Sequence, residues 1–185
     1  HRINSAGYDV DYISDNFIRT ATCVDGKIVT SGGAAYKALV LPDVHKMPAD
    51  VLAKLLELAR QGANIVFVDA YPSDVPGFSD LETRRSEFKN SLKLLPKTAF
   101  GQAVVNTFGK GKIITGSDYA SALAATGVAP EVLKSEFQLQ AIRRSNETGH
   151  HYFISALKST ATDAWIPLAV PARSALFFDP MTGER

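Results

Sequence analysis

The pattern of apolar and polar positions predicts a strand, helix, strand unit over residues 36–72. Residues 37–41 form a short apolar run closed by Pro42 and Asp43, which is typical of a strand buried on both faces. Pro48 suits a first helical position, and Gly62 marks the end of the predicted helix. Its apolar face comprises Val51, Leu52, Leu55, Leu56 and Ala59. With a second buried run at 64–68, the unit predicts a right-handed crossover in a parallel sheet.

Further elements are predicted on both sides of this unit. Residues 8–13 alternate as a strand near a sheet edge, and Ser14-Asp15-Asn16 then predicts a turn or a helix cap. Asp25-Gly26 between two β-rich runs predicts a hairpin. Residues 80–95 predict a helix that ends at Pro96, and two strands at 103–108 and 112–115 flank Gly109-Lys110-Gly111. Asp118 is expected to cap a short helix that stops at Gly127.

The pattern changes after Pro130, where helices no longer separate the apolar runs. Four strand-like runs follow, at 138–145, 151–157, 164–170 and 174–178. We therefore expect two parts: an α/β domain over residues 1–134, and a β segment over 135–185 that begins a β-sandwich. The predicted class is α/β, with a flavodoxin-like parallel sheet and flanking helices followed by antiparallel β strands.

Composition narrows the possible partners. Twenty Lys and Arg nearly balance 19 Asp and Glu, for a net charge of +1, and the cations are spread along the chain. Nucleic acid and anionic membranes are therefore not expected as partners. The single cysteine, Cys23, is expected to be a small residue of the predicted hairpin or of the core. Neither terminus has a long polar tail, which favours a piece of a longer protein.

Candidate chemistry is sparse. Asp15, Asp43, His45 and Asp69 would lie beyond predicted strand ends, as would Asp118. A carboxylate pair among them would suit glycoside cleavage, although aspartates more often cap helices and shape turns. No glycine-flanked nucleophile turn is present. We therefore expect no catalytic set in this chain, and the alternative catalytic candidates are Asp15, Asp43, His45 and Asp69.

Other motifs also favour structural roles. Gly109-Lys110-Gly111 lacks the spacing of a phosphate loop, and His150 and His151 would point to opposite faces of a strand, so neither a phosphate nor a metal is expected there. No cofactor is expected. The candidate substrate-binding residues, which could contact a sugar, are Tyr71, Asp118 and Arg143. The aromatic side chains that would suit a carbohydrate-binding module are Tyr71, Phe78 and Trp165.

An ordered series of motifs supports a family resemblance. Its members are residues 8–15, 25–28, 36–42, 62–66, 109–114, 143–155 and 178–183. The first four resemble the glutamine-amidotransferase-like domain of large bacterial glycoside hydrolases similar to α-L-rhamnosidases. The last three resemble the stretch that leads from that domain into a β-sandwich. The resemblance implies a domain beside a catalytic barrel that carries the acid and the base. It also implies a periplasmic or extracellular location, which composition alone does not indicate.

Three hypotheses follow. The leading one is a noncatalytic accessory domain of a polysaccharide-degrading glycoside hydrolase. Its expected partners are neighbouring domains of the same polypeptide, with carbohydrate as a further candidate. The second is a free-standing hydrolase that uses Asp15, Asp43, His45 or Asp69. The third is a carbohydrate-binding module.

Overall fold

The computed structural model describes residues 2–157 and 163–185, which fall into two compact units. The sheet unit comprises Asp9–Val128 together with Arg2, and the hairpin unit comprises Ile3–Tyr8 and Ala129–Arg185. The helices and strands follow in the order α1 (Arg2–Ser5), α2 (Asp15–Thr20), β1 (Thr22–Val24), β2 (Lys27–Val29), β3 (Ala35–Tyr36), β4 (Leu39–Leu41), α3 (Ala49–Gln61), β5 (Asn64–Val68), α4 (Leu81–Leu92), β6 (Val104–Phe108), β7 (Gly111–Gly116), α5 (Tyr119–Ala124), α6 (Val132–Ser135), β8 (Leu139–Asn146) and β9 (Gly149–Ala156).

The sheet unit is built on a four-stranded sheet in the order β4-β5-β7-β6. Strands β4 and β5 are parallel, with Leu39 opposite Ile65, and β7 runs parallel to β5 on its other side. Strand β6 pairs antiparallel with β7 at the edge. The predicted strand, helix, strand unit with parallel strands and the α/β class are therefore confirmed, and the right hand of the crossover stays a prediction. The sheet is mixed rather than wholly parallel.

Helix α3 supplies most of the core on one side of this sheet. Its buried side chains are Ala49, Val51, Leu52, Leu55, Leu56, Leu58 and Ala59. They pack with Ile65, Phe67 and Ile113 of the strands in one apolar cluster, where each large side chain contributes about 1.5–3 kcal/mol. A smaller cluster of Val66, Val68, Ile114 and Ala122 includes a residue of α5. Gly62 ends α3 at a φ of 135°, a conformation that glycine tolerates.

Helix α4 has fewer buried side chains than α3. Phe88 is its buried residue, Leu81 and Leu92 are partly buried against the same cluster, and the other side chains of the helix are polar or charged. The helix ends at Leu92, earlier than the predicted residue 95, although Leu95 is still buried in the following turn. The apolar spacing extended the prediction too far because Leu95 reaches the core from outside the helix.

The turn between β6 and β7 packs against the end of α3. An added Cβ at Gly111 would lie 2.3 Å from the Ala63 carbonyl oxygen, and Gly109 has a φ of 65°. The Lys110 amide donates to the Arg60 carbonyl at 2.9 Å. The glycines of this Gly-Lys-Gly segment are therefore required by close backbone packing.

Residues 8–13 correct a prediction. They form no strand and do not enter the sheet. Val10 and Tyr12 are exposed, so the alternating pattern there does not create a buried face. The segment is instead fixed by a side chain, because the Tyr36 hydroxyl donates to Asp11 at 2.8 Å.

The Asp25-Gly26 prediction is confirmed. β1, β2 and β3 form a separate antiparallel sheet, and the turn residues Asp25 and Gly26 have φ values of 50° and 74°. Two positive φ angles are what a tight two-residue hairpin turn requires. Cys23, in β1, is partly buried against the main apolar cluster.

The hairpin unit contains α6 and the antiparallel pair β8-β9, with Ile142 opposite Phe153. Residues 164–170 and 174–178 were predicted as strands, and that prediction is wrong, since both segments are irregular. Their apolar side chains have no paired strand among the described residues, and an apolar run without a ladder partner does not form a strand. Residues 158–162 lie outside the described residues.

Within the part of the chain that the structure describes, the helices are all too short or too polar to cross a membrane.

Candidate functional site

The predicted site lies where β4, β5 and β7 end. After β4, the Asp43 carboxylate lies 3.7 Å from Nε2 of His45, with side-chain exposures of 46% and 80%. This separation is longer than a hydrogen bond, and solvent screens the charges. The loop itself is well fixed, because the His45 carbonyl accepts from the Ser73 amide at 2.9 Å. The structure thus brings Asp43 and His45 near one another without making an acid-base pair.

Asp69 follows β5 directly and is exposed. Its φ is 68°, in the left-handed region that aspartate tolerates better than most residues. Its amide donates to the Gly116 carbonyl at 2.9 Å, which continues the β5-β7 ladder by one residue. Asp69 therefore has a turn-forming role at this edge of the sheet, and a catalytic role for it stays a prediction.

Tyr71 is anchored in the core. Its ring makes edge contacts with Phe67 at 4.9 Å and Phe100 at 5.0 Å between centroids. Its hydroxyl donates to the Pro96 carbonyl at 3.1 Å, and burial raises the pKa of Tyr71. The ring faces inward on two sides, so it does not form the open stacking surface expected of a carbohydrate-binding aromatic.

Asp118 caps α5. Its carboxylate accepts from the Ser121 amide at 2.8 Å and from the Ser121 hydroxyl at 2.7 Å. These hydrogen bonds, first the one from the amide, lower the pKa of Asp118. The predicted capping role is confirmed, and a substrate-binding role for the same carboxylate stays a prediction.

Asp15 is placed differently from the prediction. It begins α2 and is exposed, and no strand precedes it because residues 8–13 are irregular. A carboxylate in the first helical turn is stabilised by the helix dipole. Asp15 therefore does not join Asp43 and Asp69 at the ends of the parallel strands.

A carboxylate that sequence reasoning missed lies in the loop after β5. Asp74 accepts from Nε and Nη2 of Arg85 at 2.9 and 2.8 Å, and from the Val75 amide at 2.9 Å. The bond from Arg85, followed by the bond from the Val75 amide, lowers the pKa of Asp74 well below its usual range. The pair joins the loop to α4. An Asp and an Arg eleven positions apart gave no periodic signal that would have linked them.

A second missed cluster lies in the hairpin unit around Glu131. The Glu131 carboxylate, 13% exposed, accepts from Nη1 of Arg143, from the Tyr152 hydroxyl at 2.6 Å and from the Ala169 amide at 3.2 Å. Burial, followed by donation to Glu131, raises the pKa of Tyr152. Arg143 was predicted to contact sugar. Its guanidinium is instead part of this internal cluster, and its contact with substrate stays a prediction.

The adjacent histidines of β9 have separate partners. Nδ1 of His150 lies 2.9 Å from the Ser145 hydroxyl, and Nε2 of His151 lies 3.2 Å from the Asn146 side-chain nitrogen. Over residues 2–157 and 163–185 no group of three or more His, Cys, Asp or Glu side chains is arranged to hold a metal ion.

Two other predicted aromatic residues are open to solvent. Trp165 is 100% exposed in the hairpin unit, and Phe78 is 93% exposed in the sheet unit. Phe78 lies at a shallow groove beside the start of α4, which is also lined by Ser79, Asp80, Thr83, Arg84 and Glu87. This groove combines an aromatic ring with hydroxyl and carboxylate groups.

Comparison with known proteins identifies relatives. The glycoside hydrolase 106 family model, described as alpha-L-rhamnosidase, matches residues 3–185. A protein of Formosa agariphila named "Putative beta-glucuronidase" is 30% identical over 87 residues, which cover 47% of this chain and 7% of that protein. The matched stretch is thus a small part of that relative's length. No solved structure matches. None of these findings supports the glutamine-amidotransferase-like or flavodoxin-like assignments, which stay predictions.

Proposed function

Because the chain belongs to the alpha-L-rhamnosidase family of glycoside hydrolases, we propose that it is a noncatalytic accessory segment of a larger polysaccharide-degrading enzyme. In this proposal the catalytic carboxylates lie outside the segment. Its partners are neighbouring domains of the same polypeptide, and its contribution is structural support.

The observation that carries the proposal is the exposed apolar surface of the hairpin unit. Ile142 and Phe153 lie opposite one another on β8 and β9, and they are 60% and 56% exposed. The large apolar side chains exposed in the rest of this unit are Ile154, Leu157, Trp165, Leu168, Leu176, Phe177, Phe178 and Met181. A set of this size is typical of a surface that another protein region covers. A lone two-stranded hairpin is also only marginally stable in water.

The carboxylates of the sheet unit also support a noncatalytic role. A glycosidase general acid needs a raised pKa, and its partner carboxylate lies about 5–10 Å away. The carboxyl groups with displaced pKa values among the described residues are Asp50, Asp74 and Asp118, and each is displaced downward. Each of the three carboxylates accepts hydrogen bonds from an arginine or a backbone amide. These groups stay ionised at neutral pH and suit structural roles.

The length of the relative agrees with this proposal. The 87 matched residues are 7% of the Formosa agariphila protein, so that protein has ample room for a separate catalytic domain. An enzyme of this size would supply the surface that covers the hairpin unit.

The test is turnover of aryl glycosides by the purified chain. With p-nitrophenyl α-L-rhamnopyranoside as substrate, we expect no release of p-nitrophenol above the buffer rate between pH 4 and 8. Asp43→Asn and Asp69→Asn variants should behave like the parent chain. If the parent chain releases p-nitrophenol and either variant does not, with an unchanged circular dichroism spectrum, the chain is a free-standing hydrolase and the proposal is wrong.

The supporting role is tested in the full-length enzyme that the proposal requires. Ile142→Asp and Phe153→Asp should lower its thermal midpoint, because each places a charge in a covered apolar surface. Glu147→Lys, at the exposed turn between β8 and β9, is the matched control. Equal midpoints for all three variants would mean that nothing covers this face.

A further inference from the structure

The loop that carries Phe78 is held in one conformation by a side chain of α4. Nε of Arg84 donates to the Ser79 carbonyl at 2.7 Å, and Nη1 donates to the Pro76 carbonyl. On the upstream side, Val75 is buried and Asp74 is bonded to Arg85. Phe78 is thus presented by a backbone fixed at both ends, so a ligand would not have to order the loop on binding.

The ring of Phe78 is 93% exposed. A single exposed phenylalanine is ordinary on a protein surface, but this one borders a groove. Asp80, the residue before α4, also has a φ of 45°, and it is followed by Thr83 and Glu87 along the same groove. Thr83 and Glu87 are four residues apart, so they lie on one face of the helix.

The chemistry of the groove matches one ligand class. A sugar ring has an apolar face of C–H groups and a rim of hydroxyls. The Phe78 ring suits the first, and the Thr83 hydroxyl and the carboxylates of Asp80 and Glu87 suit the second as hydrogen-bond partners. Two carboxylates also repel an anionic sugar, since the Arg84 guanidinium is directed at backbone carbonyls.

We infer that the Phe78 groove is a binding subsite for a neutral sugar residue of a polysaccharide. Phe78 stacks on the apolar face of the ring, and Asp80 and Glu87 accept hydrogen bonds from its hydroxyls. The choice of a sugar as ligand rests on the proposed function, in which the chain is part of a polysaccharide-degrading enzyme. The inference does not require the chain to be noncatalytic, because binding at Phe78 and turnover are measured separately.

The experiment is saturation-transfer NMR on the purified chain, with methyl α-L-rhamnopyranoside at millimolar concentration as the probe. We expect transfer to the ring C–H protons of the probe. Phe78→Ala should weaken binding at least about fivefold, whereas Phe78→Tyr should retain it because the aromatic face is kept. Phe177→Ala, which removes another highly exposed ring, is the matched control and should bind as the parent does.

Charge gives a second measurement. D-glucuronic acid should bind more weakly than the neutral probe. Glu87→Gln should reduce this difference in affinity, because it removes one of the carboxylates that repel the anionic sugar. No transfer to the neutral probe, or equal binding by the parent and Phe78→Ala, would overturn the inference. Equal binding of D-glucuronic acid and the neutral probe would overturn its selectivity for neutral sugars.

Discussion

The sheet unit and the hairpin unit differ in how far they bury their apolar side chains. The sheet unit buries one large cluster around α3, including Leu52, Leu55 and Phe88. In the hairpin unit, the buried apolar side chains among the described residues are Tyr8 and Leu133, while most of its large aromatic and aliphatic side chains face solvent. The polar contacts differ too, because the hairpin unit depends on the cluster around Glu131.

The two units therefore differ in the interactions that stabilise them. The sheet unit has the burial expected of a region that folds on its own apolar core, in which helices cover a sheet. The hairpin unit buries few apolar side chains, so its polar cluster contributes more to its stability, and our proposal adds a partner that covers its exposed apolar side chains. Three measurements test whether the two units really differ in this way.

The largest expected effect is in the core of the sheet unit. Phe88 is 1% exposed and is the buried anchor of α4. Phe88→Ala should lower the free energy of unfolding by about 3–5 kcal/mol, through lost burial and a cavity. Urea unfolding followed by far-ultraviolet circular dichroism measures it.

The matched control is Phe177→Ala in the hairpin unit, where the ring is 82% exposed. It should change the same free energy by less than about 0.5 kcal/mol. If Phe88→Ala does not fold, Phe88→Leu should still cost about 1 kcal/mol. Similar losses at Phe88 and Phe177 would remove the contrast between the two units.

An intermediate effect is expected at Glu131. Glu131→Gln keeps the size of the side chain and removes the charge that Arg143 and Tyr152 contact. The hairpin unit should lose about 1–3 kcal/mol, because the partners remain partly buried without a carboxylate. Amide hydrogen exchange of β8 and β9 should speed up accordingly, and the sheet unit should not change.

Glu147→Gln, which alters an exposed carboxylate between the same two strands, is the control. It should leave the exchange rates as they are. If both variants behave alike, the cluster does not hold the hairpin unit together.

The smallest effect is expected at Asp74. Its pKa is lowered in the folded state, first by the hydrogen bond from Arg85 and then by the Val75 amide. The unfolded chain has a pKa of about 3.9 there, so the stabilisation is present above about pH 4 and is lost as the pH falls below it. Asp74→Asn should therefore lower the urea midpoint slightly at pH 7, with the difference from the parent shrinking toward pH 3.

Asp9→Asn, at an exposed carboxylate, serves as the control and should show no such pH-dependent difference. A gap between Asp74→Asn and the parent that stays constant from pH 7 to pH 3 would argue against an ionic contribution from Asp74.

The sequence predicted those parts of the fold that are determined locally. Residues 37–68 combine two buried strands, an amphipathic helix and a glycine stop, and each of these features depends on nearby residues only. The Asp25-Gly26 turn was predictable because its two positive φ angles restrict the residue types that fit. The capping role of Asp118 has the same local origin.

The features that the sequence did not predict depend on distant partners. A strand at 164–170 or 174–178 would need a neighbour that the local pattern does not specify, and neither forms. The Glu131 cluster joins residues 12 to 38 positions away, and the Asp74-Arg85 pair depends on how a loop meets a helix. The inward orientation of Tyr71 likewise depends on Phe100, which lies beyond α4.

The length of α3 is constrained by the hydrogen bonds at its C-terminal end. The Arg60 and Ala63 carbonyls at that end accept the amides of Lys110 and Lys112, so a turn from almost fifty residues later satisfies groups that a helix end leaves open. One extra residue in α3 would advance this end by about 1.5 Å and rotate it by about 100°. The helix therefore has a fixed length. Among related chains, insertions and deletions should be found in loops and not within α3. One such loop surrounds Gly101, where an added Cβ meets nothing within 4 Å.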